Sequence, residues 1–469
     1  MALQAYIGVD IEKKPCGTVL EAAKAKGLST ALVTTSRITH ATPASYSAHV
    51  ADRDLENEIA AQQLGDYVLG RQADILWGGG RRHFLPQNAS GSSREDDRNL
   101  IEEAQKAGWH VALNRSTFDG WKEGKKAQLP SLALFTSSHM AYEIDRNATV
   151  EPSLTEMAIA ALNALKKQNK PFFIMIEGAR IDHAAHNNDP VGHLHDILEW
   201  NNVVKAVAEW VDKNEDNPSD PDILMASTAD HECGGLALGY ERPEDDAGAY
   251  LWYPDVLFNA KKSTEFLSAQ FLKWSANKSE EDKTSYMKQT IIVDNLGISD
   301  VQDDEVSRAV MLSEADDSGL ALTIWLASIV NWRAHLSWST TGHSGVDVNL
   351  YLHTAKRRTP EKILKQFSNN HENTWIGNYV AEWMQLDLQK VTTKLNNGTK
   401  HVAGSGSSNK TTYLDHYHGG TKRVVPVNTQ KSRRDIGYSH AANEALYGRR
   451  FGSGAHEASH HFAARKTEL

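Results

Sequence analysis

The sequence predicts an α/β protein, a three-layer sandwich with a largely parallel central sheet flanked by helices. The first sign is a short, unbroken apolar run from Phe172 to Ile176 after Pro171, which is typical of a strand buried on both faces. The second is the alternation of strand-like and helix-like segments along the first half of the chain. The third is that candidate metal ligands follow several predicted strands, at the edge where open α/β sheets bind ligands.

The first elements in chain order are a helix over 18–27, closed by Gly27, and a strand over 28–35. A helix that leads directly into a strand is half of a βαβ unit. We expect one or more first strands of the sheet to be missing from this sequence. The alternation continues with helices over 53–67, 99–106 and 154–167 and with strands over 73–77, 110–113, 132–135 and 172–176.

The second half of the chain changes character twice. A helix over 193–213 and a strand over 222–226 continue the core, and residues 240–318 then become charged and amphipathic. We interpret this stretch as an insertion of short helices, because its aromatic residues favour burial over a disordered linker. Strand-like residues over 336–352 and a helix over 375–391 follow.

The last residues are rich in Gly, Ser and His, and from residue 401 onward they hold ten Lys or Arg against five Asp or Glu. They lack periodicity, which predicts a disordered or aberrant tail. The predicted organisation is a core in two parts, 1–239 and 319–395, interrupted by the insertion 240–318 and followed by the tail 396–469.

Composition excludes several classes of protein. The chain has 469 residues and a net charge of −10, which argues against a general nucleic-acid binder with its basic surface. Its two cysteines, Cys16 and Cys233, cannot form a disulfide framework or a four-cysteine zinc site, although a single disulfide stays open. No run of 18 apolar residues exists, so no membrane segment is predicted.

Glu177, Asp182, His183 and His186 follow the apolar strand closely. Asp182 and His186 are four residues apart, so on a helix they share one face, and a carboxylate with an imidazole suits a divalent metal. Taken alone, the segment is equally compatible with a strand-end carboxylate and solvated loop histidines. Three further segments carry similar residues after predicted strands and favour the metal site: His40 with Thr42, Asp230 with His231, and His343.

These motifs together resemble the alkaline phosphatase family, specifically its fungal vacuolar type. The motifs are EGARIDHAAH, STADHE, TTGHSG, and SRITHATPA with an arginine thirteen residues after its histidine. The resemblance covers residues 5–395 in order, implies phosphomonoester hydrolysis, and identifies the insertion as crown-like.

The resemblance also implies two zinc ions. Asp182, His186 and His343 would hold the first, and Asp230 and His231 the second. Two zinc ions about 4 Å apart can activate the attacking oxygen and stabilise the leaving one. Cys233 is interpreted as a buried small residue rather than a ligand.

One magnesium ion is implied beside the zinc ions, bound by Thr42 and Glu177. Arg53 would hold the phosphate through its two-pronged guanidinium, and His40 and His183 would lie near the magnesium.

The sequence departs from the family in one respect. Family members use a nucleophilic serine in a D-S-A motif and a metal-bridging aspartate in a D-G-M motif, and neither motif occurs here. We therefore expect a chain truncated before its nucleophile, with impaired activity. The alternative is a non-catalytic, metal-binding remnant. A sulfatase is disfavoured because neither Cys16-Gly17 nor Cys233-Gly234 fits the Cys/Ser-x-Pro-x-Arg site that it needs.

The implied partners are phosphate monoesters and, as in intact relatives, a second copy of the chain; no nucleic acid is expected. The resemblance implies the vacuole or secretory pathway, with the N-terminal membrane anchor of relatives missing here.

Overall fold

A five-stranded parallel sheet forms the centre of the protein, with strand order β3-β4-β2-β1-β5. The computed structural model describes residues 6–214, 222–242, 245, 248–315, 318–355, 361–398 and 402–403. The strands of this sheet are β1 (Ser29–Arg37), β2 (Ile75–Gly79), β3 (His110–Ala112), β4 (Ser131–Leu134) and β5 (Phe172–Glu177). The predicted α/β fold with a parallel central sheet is confirmed.

Apolar side chains on both faces of β1 explain its central position. All nine of its residues are buried, and neighbouring residues point to opposite faces of a strand. Ala31 and Val33 pack into one apolar layer and Leu32 into the other. Helices therefore cover the sheet on both sides, which produces three layers.

The helices of this first part have the following bounds: α1 (Val19–Ala25), α2 (Ala41–Ser47), α3 (Glu56–Gln63), α4 (Leu100–Lys106), α5 (Arg115–Gly120), α6 (Leu154–Lys166), α7 (Arg180–His186) and α8 (Pro190–Asn214). A short 3₁₀ turn spans Arg81–His83. Helices α6 and α8 pack on one face of the sheet, whereas α1, α3 and α4 pack on the other.

The remaining strands lie outside the main sheet, as three antiparallel pairs. They are β6 (Met225–Thr228), β7 (Glu232–Cys233), β8 (Leu236–Leu238), β9 (Leu336–Trp338), β10 (His343–Ser344) and β11 (Leu350–His353). The pairs are β6 with β11, β7 with β10, and β8 with β9. The expectation that every metal-ligand segment ends a strand of one common sheet is therefore wrong for Asp230, His231 and His343.

Helices dominate the stretch interpreted as an insertion: α9 (Asp255–Asn259), α10 (Thr264–Ser275), α11 (Glu280–Tyr286), a π-helical turn (Met287–Asn295) and α12 (Asp303–Ser313). Helix α13 (Leu320–Ala334) follows this stretch and packs against it. These helices share a separate apolar core that includes Phe271, Met287 and Leu326. The aromatic residues are divided, because Phe271 is buried whereas Trp252 and Phe258 are exposed. The division into domains stays a prediction.

The chain after β11 forms α14 (Glu361–Phe367), α15 (Thr374–Trp383) and α16 (Leu388–Asn396). The prediction of a single helix over 375–391 is wrong, because α15 and α16 are separate helices. Gln385 between them adopts a left-handed backbone conformation, and Asp387 caps α16. Most of the tail predicted over 396–469 lies outside the described residues. Within the described ranges, no helix is both long and apolar enough to cross a membrane.

Candidate metal centre

The candidate site lies at the carboxyl end of β5, as predicted. Glu177 is the last residue of that strand, and α7 begins three residues later. Helix α7 places Asp182 and His186 one turn apart on the same face. Both side chains therefore face the loops that follow β6 and β9.

His343 completes a triangle of donor atoms with these two residues. The His186 Nε2 atom lies 3.3 Å from Asp182 Oδ2 and 3.2 Å from His343 Nε2. The His343 Nε2 atom lies 3.7 Å from Asp182 Oδ1. Four ligands about 2.0 Å from a tetrahedral zinc ion stand about 3.3 Å from one another. The two distances from His186 match this spacing, and the distance from His343, which runs to the other oxygen of Asp182, is 3.7 Å.

The orientation of His186 suits metal binding. Its Nδ1 atom lies 2.6 Å from the Thr341 carbonyl oxygen, which can only accept a hydrogen bond, so Nδ1 carries the hydrogen. In the neutral imidazole the lone pair then lies on Nε2, which points into the triangle. A carbonyl behind a ligating histidine is the usual second contact of such ligands.

The Asp182 carboxylate is ready to bind a cation. Burial alone would raise its pKa, but the nearby imidazoles of His186 and His231 hold the pKa below its ordinary value. Its Oδ1 atom is buried and has no hydrogen-bond partner. A buried, unsatisfied carboxylate oxygen is costly, and a bound metal ion would satisfy it.

Cys233 joins this group and is half-buried, although the sequence favoured a buried small residue over a ligand. Its sulfur and the donor atoms of Asp182, His186 and His343 all lie within 4.8 Å of one another. Cys233 stands directly opposite His343 in the β7–β10 pair, so both side chains lie on the same face. The position of Cys233 two residues after His231 was the only signal in the sequence.

Asp230 and His231 lie beside the triangle. The His231 Nε2 atom is 3.3 Å from Asp230 Oδ2, and the His231 ring stacks on His343 with centroids 3.4 Å apart. The His231 Nδ1 atom is buried without a hydrogen-bond partner. Among the described residues, no cluster of three or more such donors within 4.8 Å includes either residue. Two donors are fewer than the three that a catalytic zinc takes from protein.

Glu177 and Thr42 are brought together with hydroxyl groups of β1. Thr34 Oγ1 donates to Glu177 Oε2 at 2.6 Å, and the Thr42 hydroxyl also hydrogen-bonds this carboxylate. Desolvation raises the Glu177 pKa to about 7, despite the lowering effect of these bonds. Thr34 was missed because a threonine inside an apolar strand carries no signal of its own.

Arg53 lies next to His40, with Nη2 3.2 Å from the His40 Nε2 atom. Within the described part of the chain, no carboxylate lies within ion-pairing distance of its half-buried guanidinium. A half-buried guanidinium without a carboxylate is available to an anionic ligand.

His40 and His183 belong to a second histidine cluster, whose third member is His139. The ring centroid of His139 is 4.3 Å from that of His183 and 5.2 Å from that of His40. Burial, followed by neighbouring arginine charges, lowers the pKa of all three well below the ordinary value. His139 was missed because it lies in a loop after β4 and belongs to none of the recognised motifs.

Each of these histidines contacts the guanidinium group of an arginine through one ring nitrogen. Besides the Arg53–His40 contact, Arg180 Nη1 lies 3.0 Å from His183 Nδ1, and Arg37 Nη1 lies 2.6 Å from His139 Nε2. Guanidinium groups only donate, so they use the lone pairs that a metal ion would need.

Carboxylates hold two of these arginines in place. Arg37 pairs with buried Glu56 at 2.7 Å. Arg180, 3% exposed, pairs with Glu265 of α10 at 2.6 Å. Arg37 and Arg180, the arginine framework of the second histidine cluster, are therefore held by carboxylates of α3 and of α10. Helix α10 belongs to the helical insertion.

The fold and the donor cluster at the edge of its sheet are those of an α/β protein with a candidate metal centre. A family model described as alkaline phosphatase matches residues 2–386. The chain belongs to the alkaline phosphatase family, which confirms the prediction made from its motifs. By family it is a phosphatase that acts on phosphate monoesters.

Two fungal relatives illustrate the similarity. The repressible alkaline phosphatase of Saccharomyces cerevisiae is 39% identical over 435 residues, covering 89% of this chain and 75% of the relative. The alkaline phosphatase of Schizosaccharomyces pombe is 37% identical over 403 residues, covering 85% of this chain and 71% of the relative.

Solved structures show the same fold. A cold-active alkaline phosphatase from a psychrophilic Shewanella species superposes with a TM-score of 0.63 at 26% identity and covers 81% of each chain. The Thermus thermophilus alkaline phosphatase gives a TM-score of 0.61 at 27% identity, covering 76% of this chain and 71% of the other.

Proposed function

We propose that this site hydrolyses phosphate monoesters with two zinc ions and one magnesium ion. The observation that carries the proposal is the close approach of donor atoms from Asp182, His186 and His343, at distances of 3.2–3.7 Å that include both oxygens of Asp182. These three residues would hold the first zinc ion, and Asp230 and His231 would contribute to the second.

Thr42 and Glu177 would bind the magnesium ion. Magnesium prefers oxygen donors, and the hydroxyl and carboxylate oxygens of these residues already lie in hydrogen-bond contact. The raised pKa of Glu177 means that a proton competes with the ion near neutral pH. Magnesium binding would displace that proton.

Arg53 would bind the substrate phosphate. The metal ions, when bound, would neutralise the dianionic ester and stabilise the attacking and leaving oxygens. Arg53 would add two parallel N–H donors. His40, which contacts Arg53, would hold the guanidinium in place, and His183 packs against His40 at a ring distance of 5.3 Å.

We further propose that turnover by this 469-residue chain is slow. Asp230 and His231 are two protein donors where a catalytic zinc ion takes three, and the D-S-A and D-G-M motifs of the family do not occur among the 469 residues. The same observations favour the alternative, a chain that binds zinc without catalysis.

Metal analysis and a phosphatase assay on the purified chain test these proposals together. We expect bound zinc and weak hydrolysis of p-nitrophenyl phosphate, with both reduced in Asp182→Ala and unchanged in Asp304→Ala, an exposed control on α12. Turnover at the rate of an ordinary phosphatase would contradict the impairment. Zinc without any turnover would favour the non-catalytic alternative, and a chain that binds no zinc would overturn the site.

Assembly and location follow the same resemblance. We propose that the chain forms homodimers and enters the secretory pathway or the vacuole. Light scattering after gel filtration tests the first proposal, and microscopy of the tagged chain in a fungal host tests the second. A monomer at micromolar concentration or a diffuse cytoplasmic signal would contradict them.

A further inference from the structure

Cys233 occupies an unusual position for a cysteine outside the expected ligand set. Its β-strand partner is His343, directly opposite in the antiparallel β7–β10 pair. Directly opposed residues present their side chains on one face about 5 Å apart. The His343 imidazole and the Cys233 sulfur therefore project to the same side of this strand pair.

The sulfur also faces the helix that carries the other donors. It lies 3.8 Å from the Asp182 carbonyl oxygen and within 4.8 Å of the donor atoms of Asp182, His186 and His343. In a zinc tetrahedron a sulfur at about 2.3 Å and a nitrogen at about 2.0 Å from the ion stand about 3.5 Å apart. Each distance from the sulfur to these donor atoms therefore exceeds the tetrahedral separation by at most about 1.3 Å.

We propose that the Cys233 thiolate is the fourth ligand of the zinc ion held by Asp182, His186 and His343. The inference rests on the proposed function in so far as this triangle is a zinc site. On binding, the S–H bond breaks, its proton leaves to solvent, and the thiolate forms the bond to zinc.

A sulfur ligand changes the character of the site in two ways. Soft thiolates favour zinc over magnesium and manganese, which prefer oxygen. Four protein ligands also close the tetrahedron, whereas a catalytic zinc keeps one position for water or substrate. Bound Cys233 therefore makes the site selective for zinc and competes with substrate for the ion.

Cys16 provides an internal control. It is the other cysteine of the chain, and its thiol donates a hydrogen bond to the Lys14 carbonyl oxygen at 3.7 Å. Among the described residues, it belongs to no cluster of metal-binding side chains. Changes that follow Cys233→Ser but not Cys16→Ser report on the metal site rather than on thiols in general.

Cobalt substitution tests the proposal by spectroscopy. The full chain is stripped of metal and loaded with Co²⁺, and the near-ultraviolet region is scanned for thiolate-to-cobalt charge transfer. We expect the band in the wild type and in Cys16→Ser, its loss in Cys233→Ser and Cys233→Ala, and its removal by added Zn²⁺. Stoichiometric cobalt binding without the band, or a band that survives in Cys233→Ser, would overturn the proposal.

Alkylation and zinc titration add two readouts that do not depend on activity. Zinc should protect Cys233, but not Cys16, from iodoacetamide, as read by mass spectrometry. Zinc affinity should fall in Cys233→Ser by more than the roughly 10-fold that loss of an outer contact costs. Equal alkylation with and without zinc would contradict the thiolate bond.

These results are separable from failure of the proposed function. Charge transfer without phosphatase turnover supports the thiolate and counts against hydrolysis. Turnover without charge transfer supports hydrolysis and overturns the thiolate.

Discussion

The two histidine clusters of this protein lie side by side, yet their imidazoles differ in the hydrogen-bond partners that they have outside each cluster. The His186 ring donates its Nδ1–H group to the Thr341 carbonyl. Its lone pair is therefore on Nε2, which faces Asp182 and His343. Behind His40 and His183 are the guanidinium groups of Arg53 and Arg180, which only donate. In His40 and His183, the lone pair of one ring nitrogen therefore accepts a hydrogen bond from an arginine. The N–H group on the other ring nitrogen is left to contact other neighbours.

Groups of histidines with similar spacing therefore differ in the ligands that they suit. The cluster with carbonyl and carboxylate contacts suits a cation, because the His186 lone pair faces the Asp182 carboxylate at 3.3 Å. The cluster with arginine contacts suits oxygen atoms of an anion. Distance alone does not separate the two, whereas the hydrogen bond on the far side of each ring does.

The largest expected effect is the loss of zinc from His186→Ala. Removing this imidazole takes away the atom shared by both short edges of the donor triangle, so zinc affinity should fall by more than about 100-fold. Titration with a fluorescent zinc chelator measures it. His353→Ala on β11 is the matched control, and an unchanged affinity in His186→Ala would remove the distinction between the clusters.

Next in size is the destabilisation expected from Glu56→Gln. The substitution leaves the buried Arg37 charge without its partner, which costs about 3–5 kcal/mol, while the zinc triangle keeps all its donors. Although burial opposes the shift, Arg37 holds the Glu56 pKa below its ordinary value, so the stabilisation is present above the ordinary pKa and lost as the pH falls.

Urea unfolding at pH 7, in parallel with zinc titration, checks the Glu56→Gln prediction. Glu58→Gln in the same helix provides a less buried comparison. A large loss of zinc affinity without loss of stability would contradict this prediction, because it would show that the arginine framework supports zinc binding.

A smaller effect is expected for Arg53→Lys. Lysine keeps the positive charge but lacks the two parallel N–H donors of arginine. The loss of one hydrogen bond to the charged phosphate weakens its binding by about 1.5–3 kcal/mol. The affinity of the zinc-loaded chain for inorganic phosphate should fall by about 10–100-fold, whereas zinc binding should not change. Calorimetry measures both, and equal phosphate affinity in the variant would contradict the role of Arg53.

The smallest effect is expected for His139→Ala. Phosphate affinity should fall only a few-fold, because His139 supports the rings of His40 and His183 without reaching Arg53 through a hydrogen bond. Zinc and magnesium stoichiometry, read by mass spectrometry of the metals, should stay the same. Loss of one metal ion per chain would show that the second histidine cluster is a metal site.

Donors that are close together in the chain can be predicted from the sequence. Asp182 and His186 were predicted from helical spacing, and the structure places them on one face of α7. His343 is a candidate from its place after a predicted strand, but its assignment to the same ion as His186 comes from resemblance to a family, because no local rule joins residues 157 positions apart. The strand pairing that brings it in, β10 with β7, involves only two residues on each side.

The features that were missed depend on three-dimensional contacts. His139 has no distinctive neighbours in the sequence, and its place is set by Arg37, 102 residues earlier. Cys233 looked like a small buried residue until its pairing with His343 became known. The common sheet expected for all ligand segments failed because β6 pairs antiparallel with β11, a contact that the apolar pattern cannot specify.

The ion pair between Arg180 and Glu265 has a practical consequence for shortening the protein. Removing residues 240–318 would also remove Glu265 and leave the Arg180 guanidinium, 3% exposed, without its carboxylate. Burying an unpaired charge costs several kcal/mol. A minimal version of this protein would therefore need a neutral residue such as methionine at position 180, together with a new surface for the face of α8 that packs on the insertion.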